Sequence, residues 1–408
     1  MHSDLCIYED EKAVNMNPLT LTRPVFELRC GIFSLVQKLV RYFPGYRVDY
    51  IVREQMVELL RERNREATIN RVPERETIFI NGRFLLRGEI PKKYDRSTLF
   101  VNNGHVVGAY VQVADLKKVR LDKKGFLDFQ ACDAFPKMEL QGRLVEYPWH
   151  LIHENSAELV RDFHYMARGG QILGKVYPGV TLVAQEHIYL APGSQLQPGV
   201  VLNAEDGPIY ISEGAVIMAN ACINGPAFIG KNTVVKMGAK LYEGTNAGDV
   251  CKVGGEIEET ILHAYSNKQH EGFLGHAYLG EWVNLGADTN NSDLKNNYSS
   301  VKVSINGNLI DSGSTFVGLF MGDHSKSGIN TMFITGCTVG VMSNIFGSGF
   351  TPKEVGSFIW GGIEETAVHE LERALQTAKK VMSRRKKTMS RAQENLFRQL
   401  YVQVHDTR

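Results

Sequence analysis

Residues 211–241 read ISEGAV, IMANAC, INGPAF, IGKNTV, VKMGAK and then Leu241. Ile211, Ile217, Ile223, Ile229, Val235 and Leu241 therefore stand six residues apart, with glycine or small polar residues filling much of the space between them. An α-helix repeats every 3.6 residues and a strand every two, so neither alone produces this spacing. A parallel β-helix does. One short strand and one corner recur per hexapeptide, and one side chain per repeat points to the axis. All six residues are branched aliphatics, which suit a stack of flat strands.

Working outward, Val176, Leu182 and Ile188 hold one phase of six, and Leu190, Leu196 and Leu202 hold another. Each slip between phases predicts a loop or an irregular corner. Pro178-Gly179, Pro192-Gly193, Pro198-Gly199 and Glu213-Gly214 supply turn residues where corners are needed. Beyond Leu241 the repeat returns in pieces at Leu279-Gly280, Leu285-Gly286, Val317-Gly318 and Val339-Gly340. Asn290 to Tyr298 is too polar for a core and reads as an extended loop.

The 408 residues suffice for two or three domains. Residues 1–150 alternate strand-like and helix-like patterns: Leu5–Tyr8, a helix within Gly31–Tyr42, Tyr50–Val52, a charged helix Gln55–Arg65, and Thr77–Ile80. That succession predicts an α/β sheet with ligands beyond the carboxyl ends of its strands. Pro148-Trp149 and a short amphipathic helix Ala157–Met166 mark the exit from this domain, so 151–170 reads as connecting helix and linker. The solenoid then covers 171–363. A helical tail covers 364–408, with Leu371, Leu375, Ala378 and Met382 on one face and Leu396 and Leu400 extending it. Its basic middle (Lys379-Lys380, Arg384 to Lys387) suits a solvated helix, RNA or an anionic ligand, and the tail itself could cap the open end of the solenoid.

Lys plus Arg (46) and Asp plus Glu (45) nearly cancel, which excludes a global field for nucleic acid or an anionic membrane. The six cysteines are scattered without a C-x-x-C pair, so neither a zinc site nor a disulfide framework is expected. Met1 to Asp4 carries no basic segment ahead of an apolar run, and no apolar stretch is long enough to span a bilayer. A cytoplasmic protein with reduced thiols is expected.

After the first strand, Asp10 to Pro24 includes Asn17-Pro18-Leu19-Thr20 and Arg23-Pro24, and a later strand ends Asn81-Gly82-Arg83. This resembles the sugar-1-phosphate nucleotidyltransferases, whose first loop carries glycines, then P-L-T, then P-K, and whose later strand ends N-G-D. The resemblance implies nucleotide contacts from Lys12, Arg23 and Asn81. It also implies Mg²⁺ if nucleotidyl transfer is retained. The chain departs from the pattern where the chemistry lies. The loop has no glycine to let backbone amides approach a triphosphate, Val25 stands for the lysine, and Arg83 stands for the metal-binding carboxylate.

The block from Tyr265 to Lys326 is more specific. It reads YSNKQHEGFLGH, then NLGA at 284–287, NSDLKNNY at 291–298 and GDHSK at 322–326. It resembles the acetyltransferase half of the bifunctional UDP-N-acetylglucosamine pyrophosphorylase/glucosamine-1-phosphate N-acetyltransferase. It matches more closely a GlmU-like group of bacterial sugar nucleotidyltransferases. The resemblance implies a left-handed β-helix, a homotrimer, and acetyl-coenzyme A bound between neighbouring coils. His270 then matches the general base, and Ala287 the alanine of the coenzyme A groove. Phe273 stands where the family has a sugar-contacting tyrosine, and Asn297 and Tyr298 match a pair that contacts the sugar phosphate. Lys302 could add phosphate charge, with a spacing shifted by one residue. Glu258-Glu259 fall where the family has lysines facing the sugar phosphate, which puts glucosamine-1-phosphate itself in question as acceptor. The chemistry agrees with an imidazole base, because an ammonium must lose a proton before it attacks a thioester, and histidine titrates near neutral pH.

The expected function is acyl transfer from coenzyme A to an amino-sugar phosphate or nucleotide sugar within nucleotide-sugar biosynthesis. The alternatives are sugar-1-phosphate nucleotidyl transfer and a non-catalytic sugar-nucleotide-binding scaffold. No resident metal is expected in the acyltransferase reading.

Overall fold

The inward row predicted by the six-residue spacing forms the axis of the molecule. In a computed structural model describing residues 4–91 and 93–405, Ile211, Ile217, Ile223, Ile229, Val235 and Leu241 are all fully buried. Ile211 pairs with Ile229, Ile217 with Val235 and Ile223 with Leu241, so one coil takes 18 residues and visits three faces. The first face starts at Lys175–Val176, the second at Thr181–Val183 and the third at Ile188–Leu190, and strands on every face stack in parallel. The third face is the longest, a sheet of nine strands. The result is a left-handed parallel β-helix. The predicted turn pairs lie at its corners, with Gly179, Gly193, Gly199 and Gly214 all at positive φ.

Ahead of the solenoid, β1 (Asp4–Tyr8), α1 (Leu35–Val40), β2 (Arg47–Ile51), α2 (Val57–Arg63), β3 (Thr77–Asn81), β4 (Phe84–Leu86), β5 (Thr98–Asn102) and β6 (His105–Val111) build an α/β domain. Its main sheet runs β2-β1-β3-β6-β5 and ends on the short strand Lys137–Glu139. β1, β2 and β3 are parallel and β6 is antiparallel to β3.

The connecting helix is longer than the sequence suggests. α3 runs Pro148–Met166, with proline in its first turn where the missing N–H is not needed. Its start escapes an amphipathic reading because its buried face carries Asn155, Glu158 and Asp162 beside Trp149, Leu151 and Leu159. These polar groups are satisfied. Lys38 reaches Glu158 and Asp162 at 2.8 and 2.5 Å, and Arg41 reaches Asp162 at 2.8 Å. Gly31 passes so close that a Cβ there would sit 2.5 Å from Asp162 Oδ2. On its other side α3 lies on Tyr189, Tyr210 and Phe228 of the third face.

The tail is two helices, α4 (Leu371–Ser383) and α5 (Arg391–His405). Ahead of them the last strand of the first face, Ile359–Gly362, pairs antiparallel with Thr366–Val368. The helices run along the corner between the third and first faces. Positive φ at that corner falls on Gly193, Gly214 and Asn232 in early coils, then on Val250, Tyr265, Trp282, His324, Met342 and Phe358. Bulky side chains resist this conformation. Here contact offsets the strain. Trp282, Met342 and Phe358 share a core with Leu375, Met382 and Phe397, and the Phe358 ring packs edge-on against Tyr401 at 5.0 Å. The same core contains Leu5, Ile80 and Trp149 of the first domain and Tyr278 and Phe320 of the third face.

No helix among the described residues is long and apolar enough to cross a membrane. The six cysteines are all free, five of them buried. No described cluster of three or more His, Cys, Asp or Glu could hold a metal ion. Met1 to Ser3, over which no leader is read, lie outside the described residues, as do 406–408 at the end of the predicted tail.

Candidate functional site

His270 sits on the open corner between the first and second faces, exposed, with no side-chain partner among the described residues. The corner is held from inside. Lys268 occupies the inward row, paired in register with Val253, and is 1% exposed. Its Nζ donates to the carbonyls of Gly254 at 3.2 Å, His270 at 2.5 Å and Glu271 at 3.2 Å. Burial pushes this ammonium down to about 8. Buried carbonyls would otherwise lack donors, so the lysine fixes the backbone that presents the imidazole. Ala287 stands at the same corner on the following coil, where Asp288 N donates to Glu271 O at 3.1 Å.

The other residues expected around His270 are spread out. Phe273 opens the second-face strand Phe273–Gly275, one turn from the histidine corner. Asn297, Tyr298 and Lys302 lie on an excursion that leaves near Asp293, at the opposite edge of that face. Tyr298 is 71% exposed, and Lys302 begins the hairpin Lys302–Ile305 with Asn308–Asp311. Within one chain the second face separates this set from His270.

At that far edge stands a pair of titratable side chains. His276 Nδ1 lies 2.8 Å from Asp293 Oδ2, both side chains mostly buried. The ring stacks on Phe316 with centroids 5.1 Å apart. His276 and the preceding coil's Glu259 hold φ values of 46° and 39°, a conformation of appreciable cost for residues with a Cβ. Glu258 and Glu259 adjoin them, and burial raises both carboxyls. The spacing 293 − 276 = 17 is close to one coil, and it is the sequence signal that marks the two as neighbours.

In the first domain, all three residues expected to meet a nucleotide are engaged within the chain. Lys12 pairs with Glu146 at 2.7 Å. Arg23 is buried against Asp323, with Glu281 at 3.5 Å. Thr22 also donates to Asp323, at 2.7 Å. Asn81 donates to Asp10 at 2.8 Å and accepts from Arg83 N at 2.9 Å. The glycine-free loop is thus a joint to the solenoid, since Asn17 and Val14 also bond Asn306 of the hairpin. Arg83 itself is fully buried, and its guanidinium donates to both carboxylate oxygens of Asp10. A guanidinium holding both oxygens of Asp10, with the neighbouring Glu146 paired to Lys12, does not fit a divalent metal site.

A cleft of about 270 Å³ lies between the first face and the end of α4. Its floor is a vertical row of outward residues, Lys252, Asn267, Asn284 and Lys326, and Arg384 and Arg385 overhang it. Tyr265 and Trp282, stacked 4.2 Å apart, form one wall. Gln269, the neighbour of His270, lines it too.

A family model described as sugar nucleotidyl transferase matches residues 5–171. A bifunctional sugar-1-phosphate nucleotidylyltransferase/acetyltransferase from Sulfurisphaera tokodaii is 30% identical over 250 residues, 59% of this chain and 56% of that protein. The bifunctional protein GlmU of Nostoc sp. is 22% identical over 360 residues, 77% of this chain and 75% of that protein. The names of these relatives support a likeness to GlmU-type proteins in both halves of the chain. The chain spans little more than half the length of the Sulfurisphaera tokodaii relative. Among solved structures, a UDP-N-acetylglucosamine acyltransferase aligns at 12% identity over 57% of this chain and 89% of its own, with a TM-score of 0.28.

Proposed function

We propose that the protein is a transferase of nucleotide-sugar biosynthesis that moves an acyl group from a coenzyme A thioester to the amine of a sugar phosphate or nucleotide sugar. The observation that carries this reading is the His270 imidazole, held on an open solenoid corner beside Ala287 of the next coil. The sugar ammonium first releases one proton to water; as the resulting amine attacks the thioester carbonyl, His270 takes a second proton from its nitrogen and the C–S bond breaks. The imidazolium then returns its proton to the departing thiolate, leaving an amide and free coenzyme A. The names of the relatives in both halves support this class of chemistry.

The same corner supports assembly. Met237, Ile329 and Phe350 are 65%, 72% and 65% exposed along this edge and the adjoining second face. Large apolar side chains grouped on a surface mark contact with another chain. In the homotrimer that we propose, this edge meets a second copy, and sedimentation should give three times the chain mass. Purified protein mixed with acetyl-coenzyme A and amino-sugar phosphates should release free thiol. No release with any such acceptor would end the acyltransferase reading.

Sugar-1-phosphate nucleotidyl transfer is the second reading, favoured by the family match over residues 5–171. It requires the Asp10–Arg83 pair to open. Pyrophosphate release would distinguish it from acyl transfer.

A further inference from the structure

The cleft between the first face and α4 concentrates positive charge without an internal partner. Lys252, Lys326, Arg384 and Arg385 converge on about 270 Å³. No described carboxylate pairs with any of the four. Lys326 Nζ donates only to the His324 carbonyl, at 2.7 Å. Arg373, Lys379 and Arg398 of the tail are paired within the chain, Lys379 with Glu394 at 2.7 Å and Arg398 with Glu372 and Glu394. Burial and the repulsion of Arg385, Lys236 and Arg384 hold the Lys252 ammonium below the usual lysine range. A folded chain keeps such a cluster at a cost unless an anion relieves it.

Two further features point to a ligand with more than charge. Asn267 Nδ2 donates to Asn284 Oδ1 at 3.2 Å, while Asn267 Oδ1 is buried with no partner. The stacked Tyr265–Trp282 pair offers a flat wall. We propose that this cleft binds the phosphorylated portion of a small molecule. Lys252, Lys326, Arg384 and Arg385 hold phosphate oxygens, Asn267 accepts from a ligand hydroxyl or amine, and Tyr265 flanks a ring. Guanidinium and ammonium groups are the donors suited to phosphate. The site does not depend on acyl transfer, so its test reads binding alone.

Calorimetric titration of the full chain carrying His270→Ala, with pyrophosphate, adenosine 3′,5′-bisphosphate and glucosamine-1-phosphate, tests it. At least one probe should bind at a single site. Preference for the bisphosphate identifies a nucleotide moiety, and preference for the sugar phosphate identifies an acceptor-type ligand. Arg384→Ala/Arg385→Ala should weaken binding by about tenfold or more, the loss expected for charge-assisted bonds to phosphate. Lys386→Ala/Lys387→Ala, the same charge change beyond the cleft, should leave it unchanged. Lys252→Met, on the opposite side, should reproduce the loss if the tail variant folds poorly. Absence of binding by all three probes, or equal weakening by the two tail variants, overturns the proposal.

Discussion

Arg83 donates from Nε to Asp10 Oδ1 at 2.9 Å and from a second nitrogen to Oδ2, closing the carboxylate that ends the first strand of the α/β sheet. A guanidinium in this place does for Asp10 what a magnesium ion would do elsewhere, and it leaves with neither nucleotide nor product. Mg²⁺ should therefore not raise the melting temperature of the wild-type protein, whereas Arg83→Asp, which places two carboxylates together, should make it Mg²⁺-dependent. The wild-type protein with nucleoside triphosphate, sugar-1-phosphate and Mg²⁺ should release no pyrophosphate. A magnesium-dependent melting shift in the wild type would contradict this account.

Arg23 and Asp323 bind the α/β domain to the solenoid across 300 positions of sequence. Both side chains are almost wholly buried. Asp323→Ala strands the Arg23 guanidinium and removes the acceptor of Thr22, so it should cost about 3–5 kcal/mol in denaturant unfolding. Arg23→Met combined with Asp323→Leu should recover part of that loss, because of the three groups at the joint only Glu281, a quarter exposed, then keeps its charge. A double variant as unstable as the single one would show that the two residues act separately.

Two imidazoles compete for the role of base, and Asp293 separates them. His270→Ala should lower thiol release by about 10²- to 10⁴-fold, the usual contribution of a positioned base. Asp293→Asn should leave release close to wild type, since its partner is His276 rather than His270. Should Asp293→Asn and His276→Ala cause the large loss instead, the base is the His276–Asp293 pair and the reaction belongs at the opposite edge of the second face.

Burial pushes the Lys326 ammonium down to about 8. The groups facing it across the cleft are Lys252, Arg384 and Arg385, and His324, Asn267 and Asn284 lie beside it. Lys326 is charged below about pH 8 and loses its proton as pH rises through that value. Phosphate binding should weaken between pH 7 and 9 and persist in part, because the arginines stay charged. In Lys326→Met the same interval should show a flatter profile. An unchanged slope would assign the pH dependence to Lys252.

The regular part of the fold was plain in the sequence because a six-residue period has few structural causes, and Ile211 to Leu241 met no competing pattern. Thr77–Asn81 and Asp4–Tyr8 were similarly clear as apolar runs. α3 was half hidden because the part ahead of Ala157 buries Asn155 beside Trp149 and Leu151, and the partners of Asn155, Gly31 and Asn246, lie 124 and 91 residues away. The tail concealed its turn at 384–390, since basic residues continue the helical composition through it. His270 drew attention through its motif. The cationic cleft was not, because its floor residues are separated by one coil (252, 267, 284) or by a coil plus the hairpin excursion (326). Only stacking brings them together.

The succession of large left-handed residues from Val250 to Phe358 has a consequence for how the protein can change in length. From Tyr265 onward these side chains pack at set heights beneath the two terminal helices, so the helices measure the prism as a gauge block measures a gap. Inserting or deleting one whole turn would leave the stack itself intact, yet every contact above the edit would arrive one rung out of place. The number of turns is thereby fixed by the packing of the tail, although the repeat alone would tolerate any number.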